Sequence, residues 1–157
     1  MSGRKTWRGG PGRLGSSESE LSPTALGGLD RQFGEALGLA ASCRVLSDLS
    51  RTAGDPLTAV ALERLSTDLN DQAVILAPLV CPEPAAGVPP FPEPSSAGVD
   101  TSLAQLDERL SHAALVAHTD AMSPGLEATV AGLLRALASH YRTRRELILV
   151  CALLDSA

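Results

Sequence analysis

Aromatic side chains are scarce in this chain, at 3% of residues, and amount to Trp7, Phe33, Phe91 and Tyr141. That scarcity argues against a β sandwich or barrel, whose cores draw on aromatic and β-branched residues. Lysine is scarcer still, with Lys5 alone near the N-terminus. A phosphate-cradling loop of the GxxxxGK type therefore has no lysine to use. Cysteine is limited to Cys43, Cys81 and Cys151, far apart and without CxxC spacing. This excludes a zinc-ribbon pattern and a paired disulfide framework, and the three read as reduced thiols. No stretch approaches the ~20 apolar residues of a membrane span. The basic N-terminus is not followed by an apolar segment, so no signal peptide is read there. The expected location is cytoplasmic, with the nucleus as the alternative. No GxSxG elbow and no HExxH motif occurs.

The net charge of −5 is unevenly spread. Residues 1–25 hold Arg4, Lys5, Arg8 and Arg13 against Glu18 and Glu20, which leaves them at +2 and the remainder at −7. An acidic body argues against nucleic acid as the main ligand, because phosphate backbones are held by clustered Lys and Arg.

What the chain does have is leucine and alanine. Apolar residues make up 44% of it, and the aromatic shortage leaves Leu, Ala and Val to build the core. Leu and Ala favour helices. The expected fold is all-α: two antiparallel helical hairpins forming a four-helix bundle, behind a disordered N-terminal tail.

The tail is residues 1–25, rich in Gly, Ser and Arg and without periodicity, a composition that cannot offset the entropy of ordering it. Within it, Ser17 and Ser19 precede glutamates and Ser22 precedes proline, as in many kinase substrates. Residues 26–80 form the first hairpin. Leu29, Phe33, Leu37, Ala40, Val45, Leu46 and Leu49 recur at helical spacing. The sequence AGDP, Ala53 to Pro56, then supplies a C′ glycine, an Asp N-cap and a Pro at N1. The second helix presents Leu62, Leu65, Leu69, Ala73, Leu76 and Val80 on one seam, with Glu63, Arg64, Thr67, Asp68 and Asp71 opposite. Pro78 should loosen its last turn and Pro82 end it.

Residues 81–99 read as a proline-rich linker, with Pro82, Pro84, Pro89, Pro90, Pro92 and Pro94 favouring extended chain. Residues 100–157 form the second hairpin. Asp100 is the expected N-cap of the third helix, whose seam is Leu103, Leu106, Leu110, Ala113 and Ala117. Ser123 and Pro124 should cap and start the fourth helix from Gly125 to about Asp155. Its stripe is Leu126, Val130, Leu133, Leu137, Tyr141, Ile148 and Cys151.

A di-iron bundle would need Glu-x-x-His pairs on two helices. Glu108 and His112 are four apart, with no second copy. His140 and Glu146 lie on different faces, and Glu35 and Glu63 lack partners in the pattern. No catalytic, cofactor or metal residue is assigned, and the expectation is a non-catalytic protein. A bundle metal protein or enzyme using Glu108, His112 and His140 is the alternative.

One stretch calls for a covering surface. Arg142, Arg144 and Arg145 run into Leu147–Leu154, eight residues without charge. A helix that is apolar all round is buried all round. The proline linker or the start of the first hairpin could cover this end, or another chain could. The favoured expectation is a helical subunit or adaptor of a multiprotein complex. Its partner-binding residues would be Leu147, Ile148, Val150, Cys151 and Leu154, rimmed by Arg142, Arg144 and Arg145. Partners would be other helical subunits or a second copy, not a membrane.

Overall fold

The computed structural model describes residues 20–81 and 99–155. The tail reading over 1–19 and the linker reading over 82–98 lie outside the described residues. What is described is all-helical, with α1 (Pro23–Thr52), α2 (Pro56–Val80), α3 (Leu103–Ala121) and α4 (Ala128–Asp155). The hairpins α1–α2 and α3–α4 pack closely, as the sequence pattern implies.

Local chemistry sets the helix ends, and it departs from the sequence reading in three places. Helix α1 starts at Pro23 rather than near Leu26, because the Ser22 side chain accepts from the Ala25 N–H and Pro23 takes N1. This repeats the Asp55–Pro56 start of α2, where Asp55 accepts from the Thr58 N–H. Helix α3 is capped by Ser102, not Asp100. Asp100 is occupied elsewhere, by Ser42 and Arg109. Helix α4 starts at Ala128, not Gly125. Gly125 sits at φ 75° and cannot open a right-handed helix there, so Ser123–Leu126 forms a turn instead. Gly54, at φ 82°, ends the α1–α2 connection in the same left-handed conformation. Pro78 lies inside α2, and the helix continues past it to Val80.

Cross-helix contacts fix the topology. Arg31 bonds Asp120, Arg109 bonds Glu35 and Ser42 bonds Asp100, so α1 and α3 are antiparallel. Thr58 and Ala61 share a lining with Leu147 and Cys151, whereas Leu76 sits with Leu133, so α2 and α4 are antiparallel too. Helices α2 and α3 therefore run the same way. The end of α2 and the start of α3 lie at opposite ends of the bundle, the mark of a long crossover connection.

The core is aliphatic. Leu29, Leu39, Leu62, Leu69, Leu76, Leu106, Leu110 and Leu134 are essentially unexposed, joined by alanines at the helix crossings. Each such leucine contributes ~1.5–3 kcal/mol of burial. Leu39 and Leu134 were not among the expected seam residues, while Val45 and Leu49 were and are exposed. Around this core lie polar clamps. Ser22 donates through its N–H and its hydroxyl to the two Glu127 carboxylate oxygens, at 2.9 and 3.1 Å, tying the start of α1 to the start of α4. Those bonds, the Ser22 N–H first, hold the Glu127 carboxyl below its usual range.

Arg109 is the clamp between α1 and α3. Its Nε donates to Glu35 at 2.8 Å and its Nη1 to Asp100 at 3.3 Å. Burial opposes its charge, but the two carboxylates more than offset this and hold its pKa above the ordinary value. Room for the guanidinium comes from Gly38, where an added Cβ would lie 2.2 Å from Arg109 Nη2. An alanine at Gly34, by contrast, would meet nothing within 4 Å. Gly34→Ala is therefore expected to stabilise the protein by about 0.5–1 kcal/mol through helix propensity alone. Gly38→Ala, despite the same propensity gain, is expected to destabilise it by about 1 kcal/mol by displacing Arg109 from its acceptors. Urea unfolding of the two variants checks the difference in sign.

Candidate functional site

Helix α3 has 19 residues against 30 in α1 and 28 in α4. At 1.5 Å per residue it falls roughly 14–17 Å short of its neighbours. Its first residue, Leu103, lies level with Leu147, Ile148 and Cys151 of α4, in a void of about 10 Å³ closed by Thr58, Ala61, Leu62 and Leu65 of α2. A void of that size has no space for more than one water, so this is packing and not a ligand pocket. Beyond that level α4 runs on with no α3 beside it.

The uncharged run is bare on most of its circumference. Leu147, Leu149, Val150, Leu153 and Leu154 are 52, 43, 52, 70 and 63% exposed, whereas Ile148 is buried at 3%. Cys151 is half-buried. The same end of the bundle exposes Leu57 and Val60 at the start of α2 and Leu49 near the end of α1. Of the residues singled out from sequence, Leu147, Val150 and Leu154 thus lie on the surface, and Ile148 belongs to the core.

The three arginines that lead into the run divide differently. Arg142 is exposed. Arg145 donates from Nε to Asp107 Oδ1 at 2.7 Å, across to α3. Arg144 turns inward: its Nη1 donates to Gln72 Oε1 at 2.7 Å, and its guanidinium carbon lies 5.8 Å from the Tyr141 ring centroid. Burial, partly offset by Tyr141 and Asp68, lowers its pKa. Gln72 in turn donates from Nε2 to the Tyr141 hydroxyl at 2.8 Å. The result is a chain of three polar groups joining α2 to α4, with Gln72 and Tyr141 buried and Arg144 partly so. Sequence reading placed Tyr141 on the inner stripe but missed Gln72. The only signal for it was a polar residue beside the seam position Ala73.

Two open grooves flank α4. One, between α3 and α4, measures about 560 Å³ and is walled by Asp107, Glu108, His112, Arg142 and Arg145. The other, between α2 and α4, measures about 300 Å³. Glu108 and His112 share a wall of the first, and His140 stands on the second. His140 is exposed, because Leu137, Ala138 and Tyr141 take the inner positions of that turn. Among the described residues no group of three or more His, Cys, Asp and Glu side chains is placed to hold a metal ion. Among them, too, no helix is long and apolar enough to cross a membrane.

Comparison of the chain with protein-family models, with curated proteins and with solved structures finds no match.

Proposed function

We propose that this protein is a non-catalytic helical subunit or adaptor, and that its partner packs on the exposed end of α4. One observation supports the reading above all: five large aliphatic side chains between Leu147 and Leu154 stand 43–70% exposed on a helix end that outruns α3. Contiguous apolar surface of this kind marks interaction sites in soluble domains. Covering it with another helix would contribute on the order of 5 kcal/mol, at roughly half the full burial value for each side chain, before the costs of association. The mode would be a helix laid into an apolar groove, read by side chains at i, i+3 and i+7: Leu147, Val150 and Leu154.

The test is the absolute mass of the purified chain by light scattering after size exclusion, alone and with any co-purifying chain. The wild type is expected as a discrete assembly, and Leu147→Asp with Val150→Asp as a monomer of unchanged helical content. Both residues are about half exposed, so the double variant should fold. A wild type that is monomeric and partner-free at all concentrations, or a variant that assembles like it, overturns the reading.

A further inference from the structure

The groove between α2 and α4 lies in the other half of the bundle from the apolar end. Its floor is apolar, from the buried Leu76 and Leu137 and the partly buried Leu133, with the exposed Ile75 and Ala136 at its rim, and one wall is acidic, from Asp68 and Asp71. These aspartates are three apart on α2 and so share a face. Asp71 is exposed, and Asp68 pairs with Arg64, itself exposed, at 3.4 Å, and also faces the Arg144 charge across the groove. An exposed pair of that length binds weakly and can be exchanged. The opposite wall holds His140 and Arg144, the latter turned in toward Gln72. At about 300 Å³ the groove is at the lower limit of ligand sites, enough for one aromatic side chain.

The chain contains a segment of matching chemistry. Trp7, the sole tryptophan, is flanked by Arg4, Lys5 and Arg8. This segment is tethered at the correct end. Ser22 is bonded to Glu127 at the start of α4, and Leu133, Ala136 and His140 follow within four turns of that point, roughly 10–20 Å away. The chain from Trp7 to Ser22 can reach up to about 50 Å when extended. Tethering over such a length gives an effective concentration of about a millimolar, so even a millimolar intrinsic affinity leaves about half the molecules docked.

We infer that the α2–α4 groove is a docking surface for the chain's own basic segment Arg4–Arg8, with Trp7 on the apolar floor and its flanking cations toward Asp68 and Asp71. The surface is separate from the end of α4, and the inference stands whether or not that end binds a partner.

Trp7 is its own reporter in the full-length protein. Its emission should be blue-shifted, and its acrylamide quenching constant about half that of free indole side chains or lower, independent of protein concentration. Asp68→Lys with Asp71→Lys should restore the full quenching constant while far-UV circular dichroism stays unchanged. Glu108→Lys with Glu146→Lys makes the same charge change away from the groove and should leave Trp7 protected. Four results would overturn the inference. The first is a fully accessible Trp7 in the wild type. The second is protection that survives the aspartate variant, which would put the indole elsewhere. The third is protection lost equally in the control, which would indicate long-range attraction only. The fourth is protection that disappears on dilution, which would mean the segment docks on a second copy.

Discussion

Gln72→Ala is expected to destabilise the protein by about 3–4 kcal/mol, read from urea unfolding at neutral pH followed by circular dichroism. The size follows from what the amide holds. Gln72 donates to the hydroxyl of the wholly buried Tyr141 and accepts from Arg144. Removing it strands a buried hydroxyl and a partly buried cation, at about 1–3 kcal/mol for each unmade bond, and leaves a small cavity. Tyr141→Phe should cost about half as much, ~1–2 kcal/mol, because it removes one partner and leaves Arg144 its acceptor. A Gln72→Ala loss below that of Tyr141→Phe would mean that water enters and satisfies the stranded groups. The helix pair would then be held by its leucines alone.

Raising the pH from 8 to 10.5 is expected to lower the unfolding free energy by about 2–3 kcal/mol, and two buried groups account for the fall. Burial pushes the Cys43 thiol up from an ordinary 9.0 to about 12. Burial likewise pushes the Tyr141 hydroxyl up from 10.0 to about 12, against the lowering effect of Gln72. Both groups keep their protons in the folded chain at pH values where the unfolded chain releases them. Their contribution is therefore complete below the unfolded values and is lost as the pH climbs toward 12. Cys43 loses the greater part within the chosen range, because its ordinary value is the lower of the two. Denaturant unfolding at both pH values should show a shallower slope for Cys43→Ala than for the wild type, whatever the variant's absolute stability. Equal slopes would show that the thiol ionises in place.

The helical architecture was legible in the sequence because leucine periodicity and the Gly54, Asp55, Pro56 punctuation both report on the backbone locally. The α2 and α3 seams hold except at their outer ends: Leu62, Leu65, Leu69, Ala73 and Leu76, then Leu106, Leu110, Ala113 and Ala117 are buried, while Val80 and Leu103 are only partly buried. Helix α1 was read less well. Its four glycines and its small residues blur the stripe, and both of its flanks are covered, by α2 and by α3. So Leu39 and Ala36 are core while Val45 and Leu49 lie beyond the start of α3 and are exposed. The apolar end of α4 was visible as eight uncharged residues in a row, but which of them face outward was not.

The chain's own order of residues thus determined that it makes helices, where they turn and that its core is aliphatic. Each of these follows from interactions within a few residues of one another. Tertiary structure decided the rest. It spent Asp100 on Ser42 and Arg109 rather than on a helix cap, and it used Gly38 as a slot for the Arg109 guanidinium. It turned Arg144 inward to Gln72, paired Arg145 with Asp107 and left Arg142 exposed. These assignments depend on which helices lie side by side and how far each extends. A charged side chain takes whichever partner the neighbouring helix brings within 3 Å, and no local pattern in the sequence encodes that distance.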